Sequence, residues 1–432
     1  MEIIEHLKSS KSKWYFCLLY GLILFAFGCD TIAEKNAAVE NKNNETARIL
    51  DKPLAAFQNE LLEIAFKTAT AIPVKPHIKD RSRAQEAVVD VCLKLDQPRK
   101  ATGYVEKIDN WRRGSCYADL ALYYAKSGDA NEVSKYLNLA NKIAEEDVND
   151  SKNSQENSQY WRRDHINVKI AQTHLLLGQT KLADDLETGL EENSEKGKIA
   201  GTKAVISSES SFEEQVKALD GLIELGNFDI TKNSLEAYTQ LFNRFYADPN
   251  KCLLTEEKIK KSWDKMPIFI RVELLMKLAG FAIDNSDKKK TLELVNEAQA
   301  VMDSSQWPLE SHIPMIANLT ALRYKAGDVE KAKNDSDKAL AMFNEQKNSI
   351  VNIYRAKAIC PLAESYQLMG DAQKALTVYK IAIEEGVENP NSRPRAEDLS
   401  ATCSSMALAA IEPDAQLWAR IHQIYERLGN PW

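Results

Sequence analysis

Ala356-Lys357-Ala358-Ile359-Cys360-Pro361-Leu362-Ala363-Glu364-Ser365-Tyr366-Gln367-Leu368-Met369-Gly370-Asp371-Ala372-Gln373-Lys374-Ala375-Leu376-Thr377-Val378-Tyr379-Lys380-Ile381-Ala382-Ile383 is the stretch from which the fold is read. Apolar residues recur at three- and four-residue intervals on either side of Gly370-Asp371, the period of two amphipathic helices. Glycine at the junction lets the chain adopt the left-handed conformation that ends a helix. Ala363, Ala375 and Ala382 are small enough for the two helices to approach closely. Tyr366 and Tyr379 then fill the groove toward a neighbouring pair. One such hairpin cannot bury its apolar face alone, so copies must stack.

Copies are present. Trp111-Arg112-Arg113 returns as Trp161-Arg162-Arg163, and each Trp is followed 17 positions later by glycine, Gly128 and Gly178. Similar turns occur at Ala125-Lys126-Ser127-Gly128-Asp129, Lys325-Ala326-Gly327-Asp328 and Leu368-Met369-Gly370-Asp371, with weaker copies at Leu225-Gly226-Asn227 and Asn285-Ser286-Asp287. Composition agrees. Gly (16) and Pro (13) are scarce among 432 residues rich in Ala, Leu, Glu and Lys, residues that lose little rotamer freedom in a helix. No run of alternating β-branched residues argues for strands.

The pattern resembles the tetratricopeptide repeat, most closely over 356–389, where Ala363, Tyr366, Gly370, Ala375, Tyr379 and Ala382 hold the small, aromatic and turn positions. A second copy, 114–145, keeps Tyr117, Leu120, Ala121, Tyr124, Gly128 and Ala140 but has Val133 and Leu137 at two other sites. A third keeps Gly327, Ala332 and Ala339, with Thr320 and Arg323 where a small and an aromatic residue are usual. The resemblance implies an all-α fold, a right-handed superhelical array of antiparallel hairpins. Glycine spacings of 50, 48, 101 and 43 exceed the strict repeat, so long helices or loops are expected between hairpins, with a break near Asp248-Pro249-Asn250. Six or seven hairpins are expected from about Leu54 onward. Pro361 should kink its helix, and 413–428 should cap the array. The organisation is therefore read as residues 1–28 signal peptide, 29–50 tether, 51–250 N-terminal repeats and 251–432 C-terminal repeats with the cap.

Compartment is read from the first thirty residues. Lys8, Lys11 and Lys13 precede an apolar run from Trp14 to Phe27, 14 residues and too short to cross a hydrocarbon core. Leu24-Phe25-Ala26-Phe27-Gly28-Cys29 resembles a bacterial lipobox, which implies that Cys29 carries the lipid. Phe27 departs from the small residue usual there, so soluble periplasmic export and an uncleaved anchor stand as alternatives. Residues 30–47, rich in Asn, Glu, Lys and Ala, read as a flexible tether. The expected location is the bacterial cell envelope, lipid-anchored to a membrane.

Chemistry is harder to find. Net charge is −7, and the short clusters 258–261 and 288–290 read as solvated surface, which disfavours a nucleic-acid partner. Cys92, Cys116, Cys252, Cys360 and Cys403 are widely spaced and form no Cys-x-x-Cys. They read as buried free thiols, with one or two disulfides open in an oxidising compartment. His77, His165, His174, His312 and His422 have no second ligand at metal spacing. Asp147-Val148-Asn149-Asp150-Ser151 lacks the glycine and glutamate of a calcium loop. Adjacent acids such as Asp184-Asp185 do not face one another on a helix. No phosphate-binding loop, nucleophile elbow or dinucleotide fingerprint occurs. Neither catalysis nor a cofactor is expected. Arg112, Arg113, Arg162 and Arg163 read either as a carboxylate clamp or as covers for Trp111 and Trp161.

What remains is binding. By resemblance, first helices line the concave surface, and the matching positions are Asp119, Lys126, Lys169, Gln172, Asn318, Tyr324, Lys325, Glu364 and Gln367. The expected partner on that surface is a protein or peptide in the cell envelope; the mixed polarity of these positions gives no net field and so names no ligand charge. The alternatives are a structural or assembly subunit of an envelope or wall-associated complex and an enzyme with an unfamiliar site. Oligomeric state is not legible.

Overall fold

The computed structural model describes residues 50–152, 160–206 and 211–432. The signal segment, Cys29 and nearly all of the tether lie outside the described residues. Among those described there are 19 α-helices and no strand, and no helix is long and apolar enough to cross a membrane.

The helices alternate between two layers. One layer holds α2 (Val74–Lys94), α4 (Arg112–Ser127), α6 (Tyr160–Leu176), α8 (Asn193–Ile206), α10 (Phe228–Arg244), α12 (Ile268–Asp284), α14 (Leu309–Lys325), α16 (Asn352–Leu368) and α18 (Ser392–Leu408). Each packs on the next, and α18 packs on α2, so the sequence of contacts closes into a ring. The second layer holds α1 (Ala56–Ala71), α3 (Pro98–Val105), α5 (Ala130–Lys152), α7 (Thr180–Thr188), α9 (Phe212–Glu224), α11 (Pro249–Ser262), α13 (Lys288–Asp303), α15 (Val329–Gln346) and α17 (Ala372–Val387), with α19 (Ala415–Glu426) added at the end. These helices pack chiefly on their own first-layer partner and the following one. A layer whose members all touch has the smaller circumference, so the first layer is inner and the second outer.

Eight hairpins are consecutive in sequence; the ninth is not. The inner helix α18 takes as its outer partner α1, from the opposite end of the chain. Gln58 Nε2 donates to the Ala407 carbonyl at 2.8 Å in this buried interface. Leu61, Leu62 and Ala65 of α1 share one apolar cluster with Cys403, Met406 and Ala407 of α18. Arg393 pairs with Asp80 at 3.5 Å beside it. The expected cap at 413–428 therefore covers no open end: α19 packs against α17 and α18, while α1 covers the face that an open array would expose.

The turns follow the sequence reading with instructive exceptions. Gly128, Gly178, Gly327 and Gly370 all have positive φ at inner-to-outer turns, and Ser286 takes the same conformation at φ 64°. Asp96 (φ 54°) and Ala410 (φ 52°) do so without glycine, which is why the first and last turns were not anticipated. Gly226 is also left-handed but leads from an outer to an inner helix, half a hairpin out of the expected register. The expected break near Asp248 is a helix start instead. Asp248 accepts hydrogen bonds from the Asn250 and Lys251 amides at 3.1 and 3.2 Å, and Pro249 takes the first helical position. The apolar cluster there runs from Phe212 to Leu322 across position 250. Helix α16 continues through Pro361, and α14 through Pro314.

Candidate functional site: the inner face of the ring

Inner helices bury three sides, two against neighbouring inner helices and one against the outer layer. The fourth faces the ring's interior and is marked by a half-buried stripe. On α16 the stripe is Lys357, Cys360, Glu364 and Gln367, spaced at three and four residues in an otherwise buried stretch, 356–367. On α6 it is His165, Lys169 and Gln172; on α4 it is Asp119, with exposed Lys126 two turns further on.

Polar side chains bridge the seams between these helices. Lys169 Nζ donates to Asp119 at 2.7 Å and to Ser115 Oγ at 2.8 Å, and Ser115 donates to Glu86 at 3.0 Å. Gln172 donates to Thr202 at 3.2 Å. Lys277 pairs with Glu236 at 3.4 Å. Thr320 and Ser365 share a hydrogen bond of 2.9 Å. Ser405 donates to Glu364 at 2.6 Å and also bonds Tyr379 at 2.8 Å. The result is a belt of alternating charge.

Burial perturbs several of these groups. It pushes Glu364 up to about 7, against the opposing pull of Ser405 and Lys94. Glu273 is likewise pushed up to about 7 by burial, with Lys232 and Lys277 acting against it. Burial raises Asp119, whereas Asp119 and Glu86 together keep Lys169 above the ordinary lysine range despite its own burial. Glu86 sits below its usual value because Lys169 and Arg112 outweigh its burial.

Six of the nine residues singled out in the sequence lie along these faces: Asp119, Lys126, Lys169, Gln172, Glu364 and Gln367. Asp119 and Lys169 are already paired to each other, so neither presents a bare charge. Lys126 is exposed at the end of α4. On α14, Asn318 is half-buried and Tyr324 packs against the core. Burial lowers Lys325, and Asp284 on α12 acts in the other sense. Sequence reasoning missed Glu86, Lys94, Glu236, Glu273, Lys277, Lys357 and Ser405. Their signal was a polar residue every three or four positions on an apolar helix, but the interior is identified only once both ends of the array meet.

In the repeated Trp-Arg-Arg, Trp111 is buried, Trp161 is 39% exposed, and Arg112 and Arg163 are engaged by neighbours. Trp111 and Trp161 meet edge-to-face with centroids 5.0 Å apart, and Arg112 lies 4.7 Å from the Trp111 ring. Arg112 also pairs with Glu86. Arg163 binds Asp164 at 2.6 Å and the Gly189 carbonyl at 3.0 Å, while buried Asp164 accepts from the Glu191 and Glu192 amides. A related device recurs without tryptophan: Arg271 and Arg355 each donate Nε to the carbonyl five residues back, Met266 and Ile350, at 3.1 and 3.0 Å. Cys92, Cys116, Cys252, Cys360 and Cys403 are free thiols. Among the described residues no three His, Cys, Asp or Glu side chains converge as a metal site would require.

No family model matches this chain, and no curated protein matches it. Among solved structures it is similar to a "Circular tandem repeat protein with novel repeat topology and enhanced subunit contact surfaces", at 13% identity over 86% of this chain and 94% of that one, with a TM-score of 0.25.

Proposed function

We propose that this protein is a non-catalytic scaffold that holds a protein or peptide partner of the cell envelope against the inner face of its ring, anchored to a membrane through lipid on Cys29. The observation that carries the reading is the inner belt, in which half-buried groups of both signs follow one another on successive rigid helices. Such a surface has no extended field of one sign to attract a polyanion. It does offer donors and acceptors side by side, as a polypeptide backbone requires. The amides of Gln172, Asn318 and Gln367 each supply both. The anchor rests on the signal-like first 28 residues and the lipobox-like run ending at Cys29.

The test is photo-crosslinking in native membranes, with a crosslinking residue in place of Gln367 or of Leu253 on the outer layer, where it is 55% exposed. One polypeptide should join at position 367 and not at 253, and the mature chain should begin with acylated Cys29. Crosslinks at 253 alone would move the binding face outward. A mature chain beginning at Met1, or an unmodified Cys29, would remove the anchor.

A further inference from the structure

We propose that the outer groove between α1 and α3 is a binding site for a phosphate group, borne by a lipid headgroup or by a soluble phosphate ester. The groove exists because α3 spans only 8 residues, where the outer helices α13 and α17 span 16. The missing length leaves a pocket of about 290 Å³, walled by Glu63, Phe66, Lys67, Lys100, Gly103, Tyr104 and Lys107.

Its chemistry is basic in an otherwise acidic molecule. Lys67 is paired with Glu63 on the pocket rim at 2.9 Å. Among the described residues, neither Lys100 nor Lys107 has a carboxylate within ion-pair distance, although both are near enough to help Lys67 hold Glu63 below its ordinary pKa. Two ammonium groups beside a third suit the several oxygens of one phosphate, each ammonium bringing three donors. Phe66 and Tyr104 stack at 4.0 Å with their planes within 4°, a rigid apolar wall for whatever carries the phosphate. Above Gly103 there is open space: a Cβ added there would meet no atom within 4 Å.

Where the chain enters favours the lipid as source, a point that rests on the anchor reading above. Asp51 accepts hydrogen bonds from the Arg99 and Lys100 amides at 2.7 and 3.2 Å, which places it, next to the first described residue, at the N-terminus of α3. The first described residue, Leu50, is therefore adjacent in the chain to a residue anchored beside this pocket.

The experiment measures acylation rates of individual lysines by mass spectrometry on the purified full chain in detergent. Inorganic phosphate and short-chain phosphatidic acid are added in turn at millimolar concentration, with short-chain phosphatidylcholine compared for headgroup dependence. Occupancy of most sites should slow Lys100 and Lys107 by about threefold or more and leave exposed Lys289 unchanged. Gly103→Leu, which fills the open space without altering charge, should abolish the effect. Equal protection by phosphate and phosphatidic acid would assign a soluble ester, and protection by the lipid alone a headgroup. No protection by either, or protection that survives Gly103→Leu, would overturn the site. The readout does not involve Cys29, so an unacylated chain that still protects these lysines would fail the anchor and keep the site.

Discussion

Arg323 sits four residues before Gly327, the position that Tyr366 holds before Gly370. Only 1% of Arg323 is exposed. It donates to Asn296 at 2.8 Å and lies 3.4 and 3.9 Å from Asp328 and Asp335. A departure from the repeat pattern is thus matched by partners at the same site, because a buried charge without them would cost several kcal/mol. Thr320, the other departure, is matched in the same way by Ser365 and Ser336 at 2.9 and 3.1 Å. Glu273 lacks a comparable balance, and burial raises it from 4.5 to about 7. The folded state therefore binds its proton more tightly than the unfolded chain. The resulting stability is present below the unfolded pKa and is lost as pH rises toward 7. Glu273→Gln should remove this dependence: urea unfolding should find it about 1–3 kcal/mol more stable than the parent above neutral pH and near parity in acid. Equal pH profiles for the two proteins would contradict the assignment.

Between helices, small residues decide the spacing. Ala363, Ala375 and Ala382 are fully buried where α16 and α17 meet, and Tyr366 and Tyr379 are buried beside them. Ala375→Leu adds volume to a fully buried contact and should cost about 1–3 kcal/mol in urea unfolding, whereas Ala372→Leu on the exposed start of α17 should change stability by less than about 0.5 kcal/mol. Similar losses for both would mean that the hairpin interface is loosely packed. Capping side chains start several of the helices, as at Asn227, Asp287, Asp371 and Asp414. Asp248 was misjudged because Asp-Pro-Asn reads equally as a turn and as a cap followed by proline, and local sequence does not separate the two.

Across the whole molecule, closure makes the ends of the chain interdependent. In an open array, loosening the first helix frays only its neighbours in sequence, since each repeat contacts the adjacent ones. Here α1 is the outer partner of α18, more than 300 positions away. Leu61 and Leu62 are both fully buried there, and truncating each to Ala should cost about 2–5 kcal/mol. The double variant should therefore speed amide hydrogen exchange in α18 while α8 and α10, midway round the ring, keep their protection. Unchanged exchange in α18 would mean that the ring is not closed by α1.

The sequence by itself determined the all-α class, the hairpin as the repeating unit and nearly every glycine turn. These depend on interactions within about forty residues: the spacing of apolar side chains along a helix, the small residues between paired helices, and the left-handed freedom of glycine. It also marked Asp119, Lys169 and Glu364 as positions on the face opposite the outer layer. Only the tertiary structure decided that the described residues form nine hairpins, that the ninth joins the two ends of the described chain, and that Asp119 and Lys169 neutralise each other across a seam. Closure depends on the sum of small rotations from one hairpin to the next, a quantity that no local motif encodes. The basic pocket beside α1 has the same origin, since Lys67 meets Lys100 and Lys107 only where a short outer helix lies beside the one that closes the ring.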